Sequence, residues 1–78
     1  MTAETSQTLD RGLTLLTLLA DHPEGMRVSE IAAELGIGRT VVYRLVVTLE
    51  KHALLRRAAD GRCHVGLGLI GLARQVQP

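Results

Sequence analysis

Two apolar stripes at helical spacing flank Gly36-Ile37-Gly38, and this arrangement limits the fold more than any other feature of the chain. Ile31, Ala32 and Leu35 form the apolar side of a short helix. Val42, Leu45, Val46 and Leu49 recur at i, i+3, i+4 and i+7 within a second helix expected from about Arg39 to His52. Helices joined by so short a glycine-containing turn must cross sharply and share one core. Gly36 suits the end of the first, because it tolerates positive φ. Ser29 is a good N-cap for that helix, and Glu30 follows in its first turn.

The flanking segments extend the pattern. Thr8–Ala20 is expected to be helical, with Thr8 as its cap, Asp10 in its first turn, and Leu9, Leu13, Leu16 and Ala20 along one stripe. Leu15 and Leu19 widen that stripe beyond one narrow face. Pro23 and Gly25 then break the helix, and Arg27-Val28 is long enough only for a stub of strand. Downstream, Leu54–Ala58 and Cys63–Val65 read as strands around Ala59-Asp60-Gly61-Arg62, where Asp-Gly is a strong hairpin signal. Gly66-Leu67-Gly68 leads into a last helix, roughly Leu69–Gln75, with Leu69, Leu72, Ala73 and Val76 on one face and Gly71 weakening it. Gly66, Gly68 and Gly71 look like close-packing and hinge positions. The expected class is mainly α with a small β-hairpin, a winged helix-turn-helix in which the hairpin is the wing.

Size and composition narrow the function. Seventy-eight residues make one small domain, and with Tyr43 as the sole aromatic its core must be aliphatic, drawn from 14 leucines among others. Such a length argues against an independent enzyme with an enclosed pocket, and no nucleophile–base–orienter arrangement is recognisable. The spacing of His22, His52, Cys63 and His64 matches no structural zinc pattern, so neither a metal nor a cofactor is expected. A single cysteine excludes an internal disulfide framework and suits a reducing compartment. No apolar run is long enough to span a membrane. Met1–Gln7 does not read as a signal peptide. Pro78 follows an apolar stretch abruptly, as expected of a piece of a longer chain.

The net charge of +1 conceals a split. Residues 1–35 carry two bases and six acids, a net of −4, whereas residues 36–62 carry six bases and two acids, a net of +4. A basic half suits a nucleic-acid partner, although uneven surface charge alone also produces such a split. The outward side of the second motif helix carries Arg39, Thr40, Val41, Tyr43 and Arg44, side chains suited to base edges and phosphates in a major groove. Backbone N–H groups at the starts of both motif helices, with Ser29 at the first, would add phosphate contacts. Arg56, Arg57 and Arg62 make the wing basic, with Arg62 expected to lead its contact with the backbone or minor groove. Tyr43 either bonds a phosphate or packs its ring on the wing. Leu15 and Leu19 are expected at a dimer interface, unless the terminal helix covers them within one subunit. The rival reading is a winged helix serving protein–protein assembly without DNA.

Leu9-Asp10-Arg11-Gly12-Leu13, Val28-Ser29-Glu30-Ile31-Ala32 with Leu35-Gly36-Ile37, and Thr40-Val41-Val42-Tyr43-Arg44-Leu45 with Thr48-Leu49 resemble the DNA-binding domain of the IclR family of bacterial transcription regulators. The resemblance runs from about Leu9 to Ala73. It implies a cytoplasmic, nucleoid-associated regulator that binds double-stranded DNA as a dimer or tetramer. It also implies a domain over residues 1–66, with residues 67–78 beginning a linker helix toward an effector-binding domain that this chain lacks. A small-molecule effector would act only through that missing domain. Two departures stand out. Gly38 replaces a frequent proline, and Ala53 replaces the glycine that commonly ends the recognition helix, which is expected to strain the turn into the wing.

Overall fold

A computed structural model describes residues 3–78; Met1 and Thr2, the start of the stretch read as no signal peptide, lie outside the described residues. The elements run α1 (Gln7–Ala20), α2 (Val28–Leu35), α3 (Arg39–Lys51), β1 (Leu55–Arg57), β2 (Cys63–Val65) and α4 (Gly68–Arg74). The chain is a winged helix-turn-helix. β1 and β2 pair antiparallel, with Leu55 opposite Val65, Arg56 opposite His64 and Arg57 opposite Cys63. Met26 adds a one-residue bridge to β2 through reciprocal backbone bonds to Cys63 of 3.0 and 2.7 Å. The expected strand stub therefore falls one residue earlier than Arg27-Val28, because Arg27 and Val28 are taken up in starting α2.

The α3 stripe is buried as its spacing requires. Val42, Leu45 and Val46 pack against Ile31 and Ala32 of α2, Leu55 and Cys63 of the wing, and α1, with Leu49 at the margin. On α1 the buried set is Gly12, Leu15, Leu16 and Leu19, whereas Leu9 and Leu13 are 61% and 53% exposed and Ala20 is exposed. Leu15 and Leu19, at 0% and 1% exposure, are core residues of the single chain and are closed to a partner, which corrects the expectation of a dimer interface there. α3 and β2, rather than the terminal helix, lie against α1. α4 buries no residue, and Leu72 and Val76 of its expected apolar face are 60% and 74% exposed.

Helix ends differ from expectation by one or two residues, for local reasons. Ser6 rather than Thr8 caps α1, its Oγ accepting from the Leu9 N–H at 3.3 Å. α2 starts before Ser29: the Arg27 N–H donates to Glu30 Oε1 at 2.8 Å, and Ser29 lies inside the first turn, not at the cap. Gly36 closes α2 in the left-handed region, at φ 67°, as its position implied.

Ala53 also has positive φ, 59°, the sole non-glycine with this conformation among the described residues. It ends α3 where glycine would fit without strain, because the left-handed region crowds a Cβ. The chain then returns over the same spot. Gly66 and Gly68 donate to the carbonyls of Leu54 and Ala53, both at 2.8 Å, and a Cβ on either glycine would fall 2.5 Å from the Ala53 oxygen. These two are close-packing positions, as their spacing suggested, whereas Gly71 faces open space. Ala53→Gly is expected to raise stability by about 1 kcal/mol, because the relieved strain exceeds the added backbone entropy of the unfolded chain. Gly66→Ala is expected to lower it by about 1–3 kcal/mol. Urea unfolding of both variants checks the pair of signs.

Candidate nucleic-acid interface

The outward side of α3 follows from its inward one. With Val42, Leu45 and Val46 fixed in the core, Arg39, Thr40, Val41, Tyr43, Arg44 and Val47 are all exposed. Gly38, the N-cap, offers no side-chain bond to the first turn of α3. Its leading N–H groups therefore stay open to an acceptor from outside, and the helix dipole favours an anionic one. The ion pairs among the described residues are Arg62–Asp60 at 3.8 Å and, with His22 protonated, His22–Glu24 at 3.1 Å. Arg39 and Arg44 thus present uncompensated charge on this face.

A residue that the sequence reading missed joins them. Arg11 of α1, half-buried, lines a cleft of about 290 Å³ with Thr8, Val41, Arg44, Leu45 and Thr48, so that two arginines line one opening. The signal was available: Arg11 lies one helical turn before Leu15, and an inward Leu15 carries Arg11 to the same edge. Arg11 also borders the helix-turn-helix connection, in a neighbouring cleft with Gly36 and Ile37.

The wing does not act as one basic group. Strand alternation puts Arg57 on the side of Leu55, toward α3, where its guanidinium carbon lies 5.5 Å from the centroid of the Tyr43 ring. Arg56, on the other side, shares a groove with His22, Pro23, His64 and Val65, away from α3. Arg62 is engaged within the wing and its base. Its N–H donates to Asp60 Oδ1 at 2.9 Å, and its Nη1 donates to the Gly25 carbonyl at 3.2 Å. Arg27 Nη1 donates to the Asp60 carbonyl at 3.2 Å, closing the tip from below. Arg62, expected to lead the wing's contacts, is thus held by bonds within the molecule, whereas Arg57 has no ion pair among the described residues.

The Arg62 N–H holds the Asp60 carboxyl below the usual carboxylate range, with the Arg62 and Arg27 charges acting in the same direction. A carboxylate lowered on folding stabilises the fold above its unfolded pKa, and that contribution disappears as pH falls through the folded value. Acidification below the ordinary aspartate range is expected to loosen the wing tip first, seen as a shift of the Arg62 amide resonance before global unfolding. Cys63 is fully buried, and burial pushes its thiol up, as befits a small core residue of the strand. Among the described residues no three His, Cys, Asp or Glu side chains converge on one point. No described helix is long and apolar enough to cross a membrane.

The IclR helix-turn-helix domain matches residues 8–59 of the 78, a span that holds α1 but for its first residue, the two motif helices and the first strand of the wing. The chain belongs to the IclR helix-turn-helix family. Solved structures agree with it. An IclR transcriptional regulator from Alicyclobacillus acidocaldarius superposes with a TM-score of 0.87 at 26% identity, covering 92% of this chain and 30% of that one. An IclR-family regulator from Brucella abortus gives 0.80 at 27% identity, covering 91% and 28%, and the Thermotoga maritima IclR gives 0.78 at 27%, covering 90% and 30%. The chain therefore spans about 30% of the length of these IclR proteins. No curated protein matches it in sequence.

Proposed function

We propose that this IclR-family domain binds duplex DNA sequence-specifically and regulates transcription by placing the outward side of α3 in the major groove. The observation that carries this reading is the exposed Arg39–Thr40–Val41–Arg44 surface, without counter-charges, at the open start of α3. Arg39 and Arg44 are forked donors suited to a guanine edge or a phosphate, Thr40 suits a phosphate oxygen, and Val41 offers methyl groups to a thymine. Arg11 holds the flanking phosphate from α1. Ser29, in the first turn of α2, contributes near the phosphates with the α2 N–H groups. Arg57 brings the wing to the backbone or minor groove, and Arg56 and Arg62 add long-range positive potential.

A two-fold dimer reads two half-sites. Leu9 and Leu13, rather than Leu15 and Leu19, supply its apolar surface, continuing into a groove with Leu49, His52 and Leu54. The exposed apolar side chains of Leu67, Ile70, Leu72 and Val76 suit residues 67–78 to begin a linker toward an effector-binding domain, through which a small molecule would act. The protein would work in a bacterial cytoplasm, on the nucleoid.

The test is selection of random duplexes on the purified domain at near-physiological salt. A repeated half-site among the enriched sequences is the expected result. A pool that stays random, together with retention of an acidic protein partner, would favour the assembly reading instead.

A further inference from the structure

We infer that Tyr43 is a positioning residue, whose ring seats the wing's Arg57 so that the guanidinium meets one DNA phosphate while α3 occupies the groove. The inference rests on the duplex reading proposed above and deepens it. Tyr43 is 50% exposed on the outward side of α3, and Arg57 stands over its ring at 5.5 Å. Among the described residues the Arg57 guanidinium has no carboxylate within ion-pair distance. An arginine on the last residue of a three-residue strand sweeps a wide volume, and holding it in one place for a phosphate costs rotamer entropy. A ring face attracts a guanidinium without neutralising it, so the seated arginine keeps its donors for an anion. Arg57 lies on the wing and Tyr43 on the recognition helix, so the stack ties the two DNA-facing parts into one surface. On this account the Tyr43 ring carries the function and its hydroxyl does not.

Equilibrium binding to a selected duplex across a series of salt concentrations tests this with four variants. Both side chains are solvent-accessible, and circular dichroism confirms that each variant folds. Arg57→Ala is expected to lower affinity about fivefold and to reduce the slope of log affinity against log salt by about 0.9, the value of one lost phosphate contact. Tyr43→Leu is expected to lower both by similar amounts although it removes no charge, which a purely structural role for the ring would not do. Tyr43→Phe retains the ring and is expected to stay within about twofold of the parent, with the parent slope. The double variant Tyr43→Leu/Arg57→Ala is expected to bind no more weakly than Arg57→Ala alone. A loss in Tyr43→Phe equal to that in Tyr43→Leu, or single-variant losses that multiply in the double variant, overturns this inference and leaves the duplex reading standing. A parent domain with no salt-dependent duplex binding overturns both.

Discussion

Leu15→Ala is expected to unfold much of the domain at ambient temperature. Leu15 is fully buried, within a core shared by α1, α2, α3 and the wing. Truncating such a leucine costs about 2–5 kcal/mol, from lost transfer energy and the cavity left behind. A single core of this size supplies about 3–5 kcal/mol in total, so one substitution removes most of it. Leu13→Ala, on the same helix at 53% exposure, is expected to change monomer stability by less than about 0.5 kcal/mol and to weaken self-association instead. Urea unfolding followed by circular dichroism measures the first effect, and sedimentation at several concentrations measures the second. The opposite pattern, a folded Leu15→Ala monomer beside an unaffected Leu13→Ala assembly, would return Leu15 to the interface.

Arg44→Ala is expected to cost about 1–3 kcal/mol of affinity for a selected duplex. Arg44 is exposed on α3, has no ion pair among the described residues, and lines one cleft with Arg11. The form of the loss identifies what Arg44 touches. A phosphate contact lowers affinity evenly across sequences and reduces the salt slope by about 0.9. A bidentate guanine contact relaxes the preference at one base position. Thermal unfolding should be nearly unchanged, because the side chain packs against nothing in the core. Unchanged affinity would remove Arg44 from the interface.

Most of the α3 face was legible in sequence, because Val42, Leu45, Val46 and Leu49 leave a helix one rotational solution and so specify its outward residues. α1 was less legible. Leu13, Leu15, Leu16, Leu18 and Leu19 nearly encircle it, so periodicity offers several stripes, and only packing against α3 and β2 selects the one with Gly12, Leu15, Leu16 and Leu19. The misplaced stripe hid Arg11. In the wing both charge and direction are legible: an inward Leu55 puts Arg57 on its own side and Arg56 on the other, by the period-two rule of a strand. The engagement of Arg62 was not legible, since it depends on the Gly25 carbonyl, distant in sequence. The strain at Ala53 was legible from its place at the end of a helix that glycine commonly closes.

With the outward side of α3 in the major groove, as proposed, the helix covers guanine N7, which faces that groove. Dimethyl sulphate probing of a selected duplex, with and without the domain, measures access to that atom directly. Protection of guanine N7 within each half-site, lost in the Arg39→Ala/Arg44→Ala variant, is the predicted result. Undiminished N7 methylation on a fully bound duplex with guanines in its half-sites would contradict it.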